Sequence, residues 1–129
     1  MHECHVAIIG ASIAGLFAAH LLAQKGRRVT VFDQREVLGP PPRTLIVTNQ
    51  ISRVLGFMPH EAVLNHICQI ELFSQNGHAL VRLGTSDLVL DRERFIQLLA
   101  RKAQRAGVQI ELGCSFLGLE GNGDSLSLA

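Results

Sequence analysis

The chain has 129 residues, a length that fits one domain. Hydrophobic residues make up 47% of it and charged residues 18%, which supports a packed core and argues against intrinsic disorder. The formal net charge is +1 at pH 7, so the strong basic bias of a nucleic-acid-binding protein is missing. No apolar run approaches the roughly 20 residues that cross a bilayer, and three widely spaced cysteines favour a reducing, cytoplasmic setting over a disulfide framework.

The first third of the chain has the pattern strand, helix, strand. The apolar run at residues 6–9 is followed at once by Gly10, as expected for a parallel strand buried on both faces. Apolar residues then recur at helical spacing over residues 13–25. A β-rich run at 29–32 follows and is closed by Asp33. This order predicts a βαβ unit of a parallel sheet.

The middle of the chain reads as a loop followed by a β element. The Pro-rich run at residues 39–42 can neither continue a helix nor join the interior of a sheet, so residues 34–44 are predicted to be an extended loop. The elements predicted after this loop are a short helix capped by Thr48 and ending near Gly56, hairpin strands at 67–74 and 78–83 around the turn Gln75-Asn76-Gly77, and a separate brief strand at 88–90.

The last third returns to helix and strand. Asp91 is expected to cap a helix on which Phe95, Leu98, Leu99 and Ala103 share one face. A buried strand at 108–112 and a final hairpin of residues 116–120 and 125–128 are predicted to follow. The pattern as a whole is α/β with an inserted β element. Because the chain stops inside a predicted strand with no closing cap, we expect an N-terminal fragment of a longer protein.

A glycine-bearing turn joins the first predicted strand to the first predicted helix. Its sequence is Gly10-Ala11-Ser12-Ile13-Ala14-Gly15, and this position is the context that a dinucleotide-binding fingerprint requires. Gly10 permits the tight turn, Gly15 lets the helix pack close to the strand, and Ser12 takes the middle position, where the backbone approaches a pyrophosphate. Free N–H groups at the helix start, equivalent to about +0.5 of a charge, attract that phosphate. The alternative is a strand-to-helix turn that binds nothing.

A carboxylate stands at the end of the second predicted strand. Asp33 lies 23 residues after Gly10, where an acidic side chain reaches the hydroxyls of an adenosine ribose. It should repel a 2′-phosphate, although Arg35 weakens that argument. Asp33, Gln34 and Arg35 therefore join the residues of the turn as candidates for cofactor binding. The combined pattern predicts a Rossmann-like FAD- or NAD(P)-binding fold.

These features resemble a known group of proteins. The glycine turn, the strand ending in Asp33, the Pro-rich loop reaching Arg43 and the run Asp91-Arg92-Glu93-Arg94-Phe95 occur in the order seen in FAD-dependent aromatic-hydroxylase-type monooxygenases and geranylgeranyl-reductase-like flavoproteins. The resemblance spans nearly the whole chain but only the N-terminal portion of those proteins. Residues 1–129 would then be the first part of an FAD-binding domain, without its C-terminal half and without the substrate domain.

The resemblance also implies roles for individual residues. Gly10, Ser12 and Gly15 would line the FAD pyrophosphate, and Asp33 would hold the adenosine ribose. Arg43 would contact the cofactor, and Arg92 would lie near the ribityl and pyrophosphate region, since a guanidinium suits phosphate oxygens. The alternative for Arg43 is a solvated loop residue. The alternative for Arg92 is a surface charge in the first turn of its helix, paired with a neighbouring carboxylate.

The function implied is FAD binding within a flavin-dependent oxidoreductase. In the intact relative, NAD(P)H reduces the flavin, which transfers hydride or reacts with O₂ to hydroxylate a small-molecule substrate. No residue of this chain is assigned a catalytic role, and the substrate and oligomeric state stay open. Two other interpretations are kept, namely an NAD-binding Rossmann module of a dehydrogenase and a nucleotide-binding fragment without turnover.

Other candidate ligands and nucleophiles do not form a site. His2, Cys4 and His5 are metal-ligand types, but no second ligand cluster accompanies them, so no metal site is predicted. Cys68 and Cys114 lie in apolar, strand-like segments, where a thiol is expected to behave as a small hydrophobe.

Overall fold

A computed structural model describes residues 5–39, 42–121 and 126–128. The elements in chain order are β1 (His5–Ile9), α1 (Ile13–Gln24), β2 (Arg28–Asp33), β3 (Thr44–Val47), α2 (Ile51–Leu55), a 3₁₀ turn (His60–Ala62), β4 (Val63–Ser74), β5 (Gly77–Asp91), α3 (Arg92–Arg105), β6 (Gln109–Leu112), β7 (Leu119–Gly121) and β8 (Leu126–Leu128). This arrangement confirms the predicted α/β fold with a βαβ start and an inserted hairpin.

The parallel sheet has the strand order β1-β2-β6. Its central strand, β2, pairs in parallel register with both neighbours, and four of its six residues are buried. On β1 and β6, more exposed residues alternate with half-buried ones. The prediction that the strands at 6–9 and 108–112 are fully buried is therefore wrong. Within the described part of the chain, nothing covers the second face of these edge strands.

The antiparallel sheet has the order β3-β5-β4. The predicted hairpin is confirmed, but the structure merges the predicted strands 78–83 and 88–90 into the continuous β5, and β4 begins at Val63. The four-residue β3 was not predicted, since its partner is the distant end of β5. Bulges between Val63 and Asn65 and between Ile67 and Gln69 let β4 follow β5 over its full length.

The hydrophobic core gathers around α3. All four residues predicted to share its inner face are buried, and the same cluster includes Leu16 and Ala19 of α1. Asp91 caps α3 as predicted, its Oδ1 accepting from the Arg94 N–H at 3.0 Å. The predicted Thr48 cap is wrong: α2 starts at Ile51 without a side-chain cap, and Thr48 contributes only its carbonyl to the preceding turn.

The structure also bears on the predictions made for the cysteines, the final hairpin and the candidate metal ligands. Cys68 and Cys114 are exposed, because one lies on the edge strand β4 and the other just beyond the end of β6. The final hairpin exists as β7 and β8, which are shorter than predicted, while its turn lies outside the described residues. His2 and Cys4 also lie outside them. Across the described ranges, no three His, Cys, Asp or Glu side chains gather as metal ligands, and no helix is long and apolar enough to cross a membrane.

Candidate functional site

The turn between β1 and α1 is built on its two glycines. Gly10 has φ +103°, a conformation that L side chains rarely adopt, and its N–H donates to the Phe32 carbonyl at 2.7 Å. A Cβ added to Gly15 would overlap the carbonyl oxygen of Gly10 and lie 3.4 Å from Cγ2 of Ile8. Glycine at both positions therefore brings the start of α1 directly against the end of β1, as the sequence predicts.

Ser12 forms the N-cap of α1. Its extended backbone (φ −76°, ψ 170°) lets Oγ accept from the Gly15 N–H at 3.2 Å. Helical geometry leaves the N–H groups of Ile13 and Ala14 without an acceptor inside the helix. These two donors, the positive end of the helix dipole and the free proton of the Ser12 hydroxyl together suit an anion such as a phosphate.

Asp33 ties this turn to the loop that follows β2. Its carboxylate is 7% exposed, and Oδ2 accepts from the Ala11 N–H at 2.8 Å. The other oxygen, Oδ1, accepts from the Arg35 N–H at 2.9 Å, and the Arg35 Nε lies 3.8 Å from it. Each carboxylate oxygen keeps a second lone-pair direction for a ligand hydroxyl. Asp33 thus has a structural role, holding two loops together, in addition to the predicted ligand contact.

An open cleft of about 310 Å³ lies at the carboxyl ends of the parallel strands, where ligands bind in open α/β sheets. It brings together four of the predicted site residues, Gly10, Asp33, Gln34 and Arg35. The N-terminus of α1 adjoins the cleft through Gly10, and Ala11 is buried beneath the turn with its N–H already bonded to Asp33. Cofactor contact by any of these residues stays a prediction.

The two arginines named by the resemblance lie together, outside this cleft. The N–H of Arg92 donates to the carbonyl of Arg43 at 2.9 Å, which joins the start of α3 to the start of β3. Arg43 is exposed and lines a second, wider cleft with Pro42, Thr44, Leu64 and Asp91. The geometry pairs the two residues through their backbone and leaves their predicted cofactor contacts untested.

One wall of the 310 Å³ cleft, called the cofactor cleft from here on, is formed by residues that the sequence did not indicate. Cys114 and Phe116 line it, and the N–H of Cys114 donates to the Asp33 carbonyl at 2.9 Å. The neighbouring Gly113 N–H donates to the carbonyl of Arg35 at 3.0 Å. The signal that could have found this wall is the third parallel strand. A strand that pairs with β2 must end beside Asp33, so the residues that follow it border the same site.

Comparison with known proteins agrees with this geometry. A family model described as an NAD(P)-binding Rossmann-like domain matches residues 8–46, which contain the glycine turn and Asp33. Digeranylgeranylglycerophospholipid reductase of Methanocaldococcus jannaschii is 28% identical over 122 residues, covering 92% of this chain and 31% of that protein.

Two solved structures share the fold. A geranylgeranyl bacteriochlorophyll reductase-like protein from Thermoplasma acidophilum superposes with a TM-score of 0.82 at 19% identity, over 95% of this chain and 33% of that one. CtdE in complex with FAD and a substrate gives 0.77 at 18% identity, over 96% and 33%. The predicted resemblance is thus confirmed for the fold, and this chain spans about a third of each of the three proteins.

Proposed function

We propose that the chain binds the ADP portion of FAD and serves as the N-terminal FAD-binding portion of a flavin-dependent oxidoreductase of the monooxygenase or reductase type. One observation carries the proposal: Gly10, in the turn that leads into α1, and the buried carboxylate of Asp33 line the same cleft at the carboxyl ends of β1 and β2, and the Ala11 N–H of this turn donates to Asp33 Oδ2. The number of residues between Gly10 and Asp33 matches the spacing between the phosphate-binding turn and the ribose-binding carboxylate in the dinucleotide fingerprint.

The residues present fit this half of the cofactor. The N–H groups of Ile13 and Ala14 and the hydroxyl of Ser12 would donate to pyrophosphate oxygens. Asp33 would accept from the ribose hydroxyls through the lone pairs that its two loop bonds leave free. Gln34 and Arg35 would border the adenosine. Arg43 and Arg92 would contribute positive charge farther along the cofactor, at the junction of β3 and α3.

Bound FAD supplies the redox chemistry, and the chain's own residues bind and orient it. The described residues fit the ADP half of FAD and are assigned to no other ligand in this proposal. For an intact protein of this type, we propose that NAD(P)H as co-substrate and a small-molecule substrate contact the region of the relatives that this chain does not span. The cysteine usage supports a cytoplasmic location for the protein.

A ligand series tests the proposal directly. The chain contains no Trp or Tyr, so nearly all near-ultraviolet absorbance and fluorescence of a mixture belongs to the ligand. We expect FAD to bind with quenching or polarisation of its fluorescence, ADP to compete with it, and riboflavin, which lacks the ADP portion, to bind far more weakly. Riboflavin binding as tight as FAD binding would contradict the assignment of this cleft to the ADP half.

A second candidate function is NAD binding within a dehydrogenase. The family model that matches residues 8–46 is described as NAD(P)-binding, and Asp33 suits the ribose of NAD equally well. Affinities for FAD, NAD and ADP separate the two candidates, because only the preferred cofactor gains contacts beyond the shared ADP portion: FAD should bind tighter than NAD and ADP in a flavoprotein site, and NAD tighter than FAD and ADP in a dehydrogenase site. A chain that binds neither cofactor would instead indicate a fragment without an independent function.

A further inference from the structure

A third cleft, separate from the cofactor cleft and from the cleft at Arg43, carries a concentration of positive charge. It has a volume of about 250 Å³ and lies between residues 57–61 and the C-terminal half of α3. Arg101, Lys102 and Arg105 line it, against a single carboxylate, Glu61. The formal charge of the lining is +2, which exceeds the +1 of the whole chain.

Within the described residues, most of this charge is not neutralised. The guanidinium of Arg101 forms an ion pair with Glu61. The ammonium of Lys102 lies 4.1 Å from the ring centroid of Phe57, a contact that orients a cation without cancelling its charge. Arg105 makes no ion pair or hydrogen bond to any residue in the described ranges. Two cations therefore face the cleft without a carboxylate partner among the residues that the structure describes.

The backbone on both sides of the cleft is held by buried residues. Pro59 and Ala62 are fully buried, which fixes the segment that presents His60 and Glu61. On α3, Leu99 and Ala103 are equally buried and fix the helix that presents the cations. A ligand entering the cleft would meet charges carried on a fixed backbone, so the conformational entropy lost on binding would come from the long side chains and not from the main chain.

An alternative explanation for the charges is helix stabilisation, because basic residues in the last turn interact favourably with the negative end of the helix dipole. This explanation applies to Lys102 and Arg105. It does not account for Arg101, which lies earlier in α3 and reaches across to the facing segment. Nor does it account for a cavity between the charges and a facing histidine. Helix stabilisation predicts an effect on unfolding only, whereas a binding site predicts a saturable response to an anion.

We propose that this cleft binds a phosphate group, either free or carried by an anionic phospholipid. A phosphate monoester carries about −1.5 to −2 charges at pH 7 and matches the net charge of the lining. The planar guanidinium of Arg105 can bind two of its oxygens at once, and the ammonium of Lys102 and a ring N–H of His60 can reach others. A carboxylate would leave about one positive charge of the cleft unmatched.

The test is a residue-resolved NMR titration of the 14.1 kDa chain with inorganic phosphate at constant ionic strength. We expect saturable amide shifts at residues 60–61 and 101–105, separate from any shifts at the glycine turn of residues 10–15, which also suits phosphate. The double variant Lys102→Met, Arg105→Gln should lose at least about tenfold in affinity at the first set and none at the second. Methionine keeps the side-chain stem over Phe57, and Arg105→Gln alone serves if the double variant does not fold.

The control matched to Arg105→Gln is Arg82→Gln, which removes one exposed arginine from β5, outside the cleft. An equal loss in this control would show a general charge effect and overturn the proposal, as would shifts confined to residues 10–15. Vesicles of phosphatidylcholine with and without phosphatidic acid identify the source of the phosphate. Binding to the acidic vesicles that inorganic phosphate displaces and the double variant loses would assign a lipid, and phosphate shifts at the cleft without vesicle binding would assign free phosphate.

Discussion

The cofactor cleft and the outer part of the β4–β5 hairpin, residues 69–82, are both built on β-strands. They differ in the contacts that stabilise them. In the cleft, hydrogen bonds join segments far apart in the chain: Asp33 bonds to the turn before α1, and Cys114 bonds to Asp33. In the hairpin, β4 and β5 contact mainly each other. The cleft is therefore fixed by several independent elements and the hairpin by one ladder of hydrogen bonds.

The hairpin register shows why it gains little from burial. Ile70 pairs with Val81 and Leu72 with Ala79, so these four apolar residues share one face of the ribbon. All four are nevertheless exposed. Apolar alternation thus determines which residues share a face, while burial depends on whether another element covers that face. We expect the hairpin to exchange its amide protons faster than β2.

The largest predicted effect concerns Gly15, in the turn between β1 and α1. Gly15→Leu forces a side chain against the Gly10 carbonyl, so α1 must move away from β1 and FAD binding should be abolished. The matched control is Gly84→Leu in β5, where an added Cβ meets no atom within 4 Å and the backbone φ is unstrained. FAD fluorescence titration of both variants measures the outcome. Unchanged affinity in Gly15→Leu would contradict the proposed pyrophosphate site.

The next largest effect compares two phenylalanines. Phe95 on α3 is 1% exposed and Phe73 in the hairpin is 74% exposed. Phe95→Ala should lower the free energy of unfolding by about 3–5 kcal/mol, because it removes buried surface and leaves a cavity. Phe73→Ala should change it by no more than about 0.5 kcal/mol. Denaturant unfolding followed by circular dichroism measures both, and similar losses would show that the hairpin is stabilised by contacts beyond its own strands.

A smaller effect is expected at Asp33. Asp33→Ala leaves the N–H groups of Ala11 and Arg35 without their acceptor and removes the proposed ribose contact. FAD binding should weaken by about 1–3 kcal/mol, a factor of about 5–150 in Kd. Asp33→Asn keeps one acceptor oxygen and should fall between the wild type and the alanine variant. Isothermal titration measures all three, and equal affinities would place the ribose away from Asp33.

The site could be predicted from the sequence where its geometry is local. The turn at Gly10 and the carboxylate at Asp33 belong to one βαβ unit, and the spacing within that unit follows from the length of one helix and two strands. Asp91 as a helix cap is local in the same sense. These predictions needed no knowledge of what lies elsewhere in the chain.

The parts that could not be predicted depend on pairing between distant segments. Whether Cys114 borders the cofactor cleft depends on β6 choosing β2 as its partner. The strand β3 is defined by pairing with residues more than forty positions later, and four residues carry too little pattern to indicate it. The exposure of Ile9 on β1 likewise reflects the absence of a covering element among the described residues, which periodicity within β1 does not encode.

The smallest predicted effect separates two roles of Ser12 in the cofactor cleft. Ser12→Ala removes the N-cap bond to the Gly15 N–H and should lower stability by about 0.5–2 kcal/mol, whereas Ser12→Gly should lower it by only a few tenths. Both variants remove the hydroxyl that we propose donates to a phosphate oxygen. If that donation occurs, the two variants should lose the same affinity for FAD despite their different stabilities. Affinity losses that instead follow the stabilities would assign Ser12 to capping alone, and the backbone N–H groups of α1 would then hold the pyrophosphate without help from the side chain.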